Sequence, residues 1–339
     1  MSVTRRVLLE SGAAFTLAGA AFAQPAGSAS FAPARDTALA AARDMLKSND
    51  VPAISFALFN REGVIFAEAV GQIDKAAGKP ATPQTLFCIG SCSKVLAAAA
   101  TLILVDRGKV ELDAPFVRYV PEFRMQSPAF SDITVRMLLS HSSGLPGADY
   151  RGVFTQRWDG DYSRRVLRTQ AGARLKHRPG DMSVYCNDGF TLLEPLIENV
   201  SGVPFIAFVE HELFAPLGMT SSRFANRAFE PDAYAPGYLK NRKQPLECVN
   251  PAASGGAYTT PAEMARFLAL FLNGGRFGER PILSPHAITL MIENQTLRET
   301  LRPVPTQDGF GLGWDSVRNA AFSGLGMTAL RKNGGTSVY

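Results

Sequence analysis

Phe87-Cys88-Ile89-Gly90-Ser91-Cys92-Ser93-Lys94-Val95-Leu96-Ala97-Ala98 is the stretch on which the reading of this chain turns. Ser91 and Lys94 stand three residues apart, directly ahead of an uncharged run from Val95 to Val105 that contains four consecutive alanines and ends in Asp106-Arg107-Gly108. Such a run predicts a helix buried on most sides, with Gly108 just past its end. If the helix begins near Ser91, positions i and i+3 share a face and the lysine amine lies beside the serine hydroxyl. A serine hydroxyl is a weak nucleophile until a neighbouring base takes its proton, and a desolvated lysine of lowered pKa is such a base. Serine is also a common helix N-cap, and a four-residue motif recurs by chance. The flanking sequence has to decide.

On the N-terminal side, Leu39, Ala42, Met45 and Leu46 share one helical face within Asp36 to Lys47. Ile54, Phe56 and Leu58 then alternate with smaller residues, Asn60-Arg61-Glu62-Gly63 supplies a turn, and Val64 to Val70 reads as the returning strand. On the C-terminal side the chain is mostly helix and loop as far as about residue 250. Leu192, Leu193, Leu196, Ile197 and Val200 form a helical face stopped by Gly202. Thr260-Pro261-Ala262-Glu263 is a capping box that starts a helix ending at Gly274-Gly275, and Ser284-Pro285 starts another. Phe310 to Trp314 and Ala329 to Tyr339 read as strand material broken by glycines. Strands at both ends around a helical middle predict an α+β fold whose sheet is completed by distant parts of the chain.

Arg5-Arg6, a mildly apolar stretch from Ala13 to Phe22 and Ala21-Phe22-Ala23 follow the three-part plan of a secretory signal, cleaved after Ala23. The paired arginines resemble a twin-arginine signal, and the expected location is the periplasm. The apolar stretch is shorter than the ~20 residues that span a bilayer. The formal charge is +5, and +4 without Arg5, Arg6 and Glu10; its lysines and arginines are dispersed, so nucleic acid is not an expected partner. Cys88, Cys92, Cys186 and Cys248 make no Cys-x-x-Cys pair and no zinc spacing with the four histidines, so neither a metal nor a cofactor is expected.

Two further motifs complete the argument. Pro179 to Asn187 contains the only Tyr-x-Asn of the chain, Tyr185-Cys186-Asn187. A tyrosine whose pKa is lowered by nearby lysines can pass protons, and an asparagine two residues on can hold a substrate amide or the lysine. Arg331-Lys332-Asn333-Gly334-Gly335-Thr336 offers a cation and an accessible backbone N–H for a developing oxyanion. Ser91-x-x-Lys94, Tyr185-x-Asn187 and Lys332-Asn333-Gly334, in this order and widely spaced, resemble the serine β-lactamase and penicillin-binding protein superfamily. The Tyr-x-Asn motif is similar to that of the class C β-lactamases, the D-alanyl-D-alanine peptidases and related esterases. Ile133 to Pro146, Gly189 to Met219 and Gly255 to Gly275 carry the likeness further, over residues 36 to 339.

The resemblance implies a β-lactamase/transpeptidase-like fold: an antiparallel sheet flanked by helices (residues 36–85 and 255–339) with a mainly helical insertion (residues 86–254), after the signal (1–23) and a linker (24–35). It implies that Ser91 is the acylated nucleophile and that Lys94 and Tyr185 are a coupled base. It implies substrate binding by Asn187, Lys332 and Gly334, and an oxyanion hole made of the Ser91 and Gly335 N–H groups. The expected activity is hydrolysis of a β-lactam or D-alanyl peptide through an acyl-enzyme. A carboxylic ester hydrolase of the same fold and a catalytically silent peptidoglycan-binding homologue are the alternatives. The substrate is then a small molecule or a peptidoglycan fragment. Cys92 and Cys186 each adjoin a motif residue, and whether they pair is left open. In the superfamily the third-motif strand is followed by two more strands and a helix, which do not follow Tyr339. The sequence therefore reads as truncated, with a gap in the sheet, Lys332 not held against Ser91, and the hairpin face uncovered.

Overall fold

The uncharged run behind Lys94 forms the central helix of the molecule, in a computed structural model that describes residues 31–49, 51–230, 232–297, 309–318, 322 and 326–338. The expected leader, residues 1–23, lies outside the described residues. Helix α1 (Ala32–Asn49) opens the described chain and leads into an antiparallel hairpin of β1 (Ala53–Asn60) and β2 (Gly63–Asp74). α1 begins at Ala32 rather than Asp36, because Pro33 fits a first turn, where its missing N–H costs nothing. The hairpin turn closes on Asn60, whose side-chain oxygen accepts from the N–H groups of Glu62 and Gly63. β2 continues past Val70 because β3 (Lys79–Pro80) pairs with its far end.

β4 (Phe87–Cys88), a single 3₁₀ turn (Gly90–Cys92) and α2 (Ser93–Asp106) follow in immediate succession. Every residue of α2 from Ser93 to Leu104 is buried, as an all-apolar helix requires. Further along come α3 (Tyr162–Gln170), α4 (Asn187–Thr191) and α5 (Leu193–Ser201), which ends at Gly202 with φ +75°. α6 (Ala252–Gly255), α7 (Pro261–Leu272) and α8 (Pro285–Ile292) complete the set used below; α2 packs against α5, α6 and α8. Two short strands, β5 (Arg223–Phe224) and β6 (Ala257–Thr259), join β4 in a sheet of order β4-β6-β5. Segments up to about 170 residues apart in sequence thus meet beside the start of α2, as an α+β sheet closed by distant parts requires.

The capping box of α7 is half made. Thr260 Oγ1 accepts from the Glu263 N–H at 3.2 Å, but the Glu263 carboxylate turns away to accept from the N–H groups of Ser221 and Ser222. Those amides precede β5 and would otherwise be buried without partners, so they hold the carboxylate. Three other expectations are corrected. Phe310–Trp314 and Ala329–Tyr339 form no ladder among the described residues; their neighbourhood pairs only through the bridge Ser316–Arg331. A strand is held by a hydrogen-bonding neighbour, and the glycines here offer no side chain for packing in its place. The hairpin is not left uncovered either, since α7 and α1 both pack on it, although β1 buries only Ala53. Finally, short two-residue ladders, Phe154–Thr155 with Cys248–Val249 among them, interrupt the helical middle. Among the described residues no single helix is long and apolar enough to cross a membrane.

Candidate active site

Ser91 sits in the 3₁₀ turn and Lys94 in the first turn of α2, which brings Lys94 Nζ to 3.0 Å from Ser91 Oγ. The amine is fully buried, and its other two contacts are the Ser254 carbonyl at 2.6 Å and Ser254 Oγ at 2.9 Å, both on α6. Among the described residues no carboxylate pairs with it. Burial, and after it the charge of Lys332, hold its pKa well below the ordinary lysine value. The proton count around Nζ then becomes informative. A carbonyl can only accept, and Ser254 Oγ donates its own proton to Asn187 Oδ1 (3.2 Å), so it too accepts from Lys94. While charged, Lys94 donates to Ser91 Oγ as well; once neutral, it spends its two protons on Ser254 and can turn its lone pair to Ser91.

Tyr185 closes the other side. Its ring stacks on buried His141, with centroids 4.3 Å apart and planes 28° from parallel. His141 Nδ1 accepts from the Cys186 N–H at 3.0 Å, so the imidazole proton is on Nε2. Burial, then Lys94 and Lys332, keep that imidazole neutral. The phenol is shifted in the opposite sense to the sequence expectation. Burial raises its pKa, and a hydrogen bond to Ser91 only partly offsets this. Although 38% of the Tyr185 surface is open to the cleft, its hydroxyl lies at the enclosed end, 3.4 Å from Lys332 Nζ, whose side chain is only 3% exposed. Desolvation of that end is the largest cause of the shift.

Lys332 is held, again contrary to expectation. Asp315 accepts from its ammonium and, through the other carboxylate oxygen, from the Asn333 N–H at 3.0 Å. Two glycines let this segment reach the nucleophile. Gly90 has φ +49°, and a Cβ there would stand 2.6 Å from Gly335 N; a Cβ on Gly334 would stand 2.0 Å from the Ile89 carbonyl oxygen. Gly335 consequently lies against the Ser91 turn. Asn187, expected to hold substrate, instead reaches Ser254 with its oxygen and Tyr150 Oη with its nitrogen at 3.5 Å, while still facing the cleft. Cys92 and Cys186 do not pair: all four cysteines are free, and these two thiols face the carbonyls of Lys332 and Gly147. Burial raises the Cys186 thiol to about 11. Among the described residues no cluster of metal-ligating side chains exists.

Ser91, Tyr185, Asn187, Ser254 and Gly335 share one cleft of about 330 Å³. A larger cavity of about 500 Å³ between the hairpin and residues 235–241 contains none of the motif residues. The sequence profile of the family described as Beta-lactamase matches residues 39–339. The chain belongs to the beta-lactamase family. It is 31% identical over 242 residues to the D-alanyl-D-alanine-carboxypeptidase/endopeptidase AmpH of Escherichia coli K12, covering 67% of this chain and 59% of that one. It is 32% identical over 206 residues to esterase EstB of Burkholderia gladioli, covering 56% and 51% respectively. The chain thus spans about half to three-fifths of these relatives' length. Among solved structures, the octameric penicillin-binding protein homologue from Pyrococcus abyssi superposes with a TM-score of 0.66 at 26% identity, covering 83% of this chain and 64% of that one. The fold is accordingly the β-lactamase/transpeptidase fold.

Three residues of the site were not singled out in the sequence. Ser254 lies in Ala252-Ala253-Ser254-Gly255-Gly256, where only smallness marks it. Asp315 follows Trp314 with no periodic signal, and Asp188 is masked by its neighbour Asn187.

Proposed function

We propose that this chain is an exported serine acyl hydrolase that works through an acyl-enzyme at Ser91 on a β-lactam or D-alanyl peptide. The observation that carries the reading is the 3.0 Å contact between Ser91 Oγ and a fully buried lysine amine, whose charge is disfavoured by burial and which, once neutral, can turn its lone pair to the serine. Lys94 takes the Ser91 proton as Oγ attacks the scissile carbonyl. The developing oxyanion is met by the N–H groups of Ser91 and Gly335. Tyr185, kept protonated by burial, gives its proton to the leaving group, and the lysine proton replaces it. Lys332 steadies the transient phenolate. Water then attacks the acyl carbonyl and loses a proton to the same pair, which passes it to Ser91 Oγ as the acyl–Oγ bond breaks, freeing the acid and restoring the serine. The leader-like pattern of residues 1–23 supports export to the periplasm.

A second reading, ester hydrolysis, is favoured by the Lys332–Asp315 pair, which reduces the pull of Lys332 on a substrate carboxylate, and by the similarity to an esterase. Both readings are tested together. Fluorescent penicillin should label the complete protein and not Ser91→Ala; labelling of Ser91→Ala overturns the acyl-enzyme assignment. Lys332→Ala should lose about 10-fold more kcat/KM on nitrocefin than on p-nitrophenyl acetate if a carboxylate is recognised. Equal losses select the esterase.

A further inference from the structure

Asp188, the residue after Asn187, is 5% exposed, and what remains open faces the same cleft as Ser91. One carboxylate oxygen accepts from Gln170 Nε2 at 3.1 Å. Among the described residues no lysine, arginine or histidine pairs with it, and the only charge that bears on it is another carboxylate, Asp149. Arg165, on the adjoining α3, is committed to Asp159 and to the face of the Tyr162 ring. Burial raises the Asp188 carboxyl to about 7; to stay ionised a carboxylate walled off from solvent needs a cation or several donors, and here the protein supplies a single amide.

The amide itself carries a second, independent sign. Gln170 is 3% exposed, and its Oε1 has no hydrogen-bond partner. An orphaned buried amide oxygen costs about 1–3 kcal/mol, so the side chain gives up its own acceptor in order to present N–H to Asp188. Exposed Tyr150 lines the same cleft, adding aromatic surface of the kind that cations favour, whereas the Tyr162 ring is already occupied by Arg165.

From this arrangement we propose that Asp188, with Tyr150 lining the same cleft, is a binding site for a primary ammonium group on the acyl part of the substrate. The assignment rests on the acyl-transfer reading above for which part of the substrate is meant. The leaving-group side is the side of Tyr185 and Lys332, where a second cation would be repelled; the acyl part is what remains to meet Asp188. Bound there, the ammonium would donate to the free carboxylate oxygen while Gln170 keeps the other. Substrates of this class carry a free amine on the acyl donor, as an amino-terminal D-amino acid or an aminoacyl β-lactam does.

Two matched pairs test it. Ampicillin and benzylpenicillin differ only by the side-chain amine, and their binding to Ser91→Ala requires no turnover. The p-nitrophenyl esters of 3-aminopropionate and butyrate are near-isosteric, and their kcat/KM is measured on the complete wild-type protein. The ammonium member should be preferred about 10-fold or more in at least one pair, and Asp188→Asn, which preserves shape and can still accept from Gln170, should bring that ratio close to one. Ratios near one for both pairs in the parent proteins overturn the proposal whether or not the variant folds. So does a preference that survives in Asp188→Asn. Failure of the acyl-enzyme reading is seen separately, as absent labelling at Ser91.

Discussion

Replacing Glu194 by glutamine should stabilise this protein, and by more as the pH rises. Glu194 lies on α5, fully buried, and accepts from the Ala253 N–H at 2.9 Å. Burial pushes its carboxyl from 4.5 to about 8, with the Ala253 amide and Ser163 offsetting part of the penalty. The folded form therefore holds the proton more tightly than the unfolded chain. Its stability contribution is complete below pH 4.5 and is lost as the pH climbs through about 8. At about 1.4 kcal/mol per pH unit, the folded protein gives up roughly 1 kcal/mol by pH 5 and roughly 4 kcal/mol by pH 8. Glutamine keeps the acceptor for Ala253 and has no charge to lose. Urea unfolding of both proteins at pH 5 and pH 8 isolates the effect, because every other titration cancels in the double difference. The advantage of Glu194→Gln should grow by about 3 kcal/mol between the two. An advantage that stays constant within ~0.5 kcal/mol would mean that Glu194 ionises normally in the folded protein, and would refute the reasoning.

Two further outcomes are expected. The acid limb of kcat/KM should report Lys94 and lie far below the ordinary lysine range; Lys332→Ala removes a positive neighbour, raises the Lys94 pKa and should move that limb to higher pH, whereas a stationary limb assigns it to another group. Ser254→Ala deletes one of the two acceptors that turn the Lys94 lone pair to Ser91 and should lower kcat/KM about 10-fold or more on every substrate alike, measured on nitrocefin and p-nitrophenyl acetate; a loss below about 3-fold on both would mean that the carbonyl alone orients the amine.

The parts of the site that were legible in the sequence are those fixed by local geometry. Ser91 and Lys94 meet because three residues of 3₁₀ turn and helix put them on one face, and Gly202, Ser284 and Thr260 mark helix ends by their own backbone and hydroxyl chemistry. The partners of those residues were not legible. Ser254 and Asp315 act on lysines 160 and 17 residues away, and nothing in their neighbourhood distinguishes a serine that orients an amine from one that lines a tight turn. The same holds for Glu263. Its spacing from Thr260 is that of a capping box, yet two amides before β5 compete successfully for its carboxylate. The direction of the Tyr185 shift was missed because sequence reveals neighbouring charges more readily than the loss of water around a hydroxyl.

The close approach of Gly90 to Gly335 has a consequence for biosynthesis. The nucleophile and its lysine leave the ribosome well before the backbone that meets Ser91. A growing chain therefore carries Ser91 and Lys94 for some 240 residues of synthesis without Gly335 beside them. Neither the oxyanion contact nor the Lys332 charge exists until translation has passed Gly335, so the site is incomplete in any shorter nascent chain.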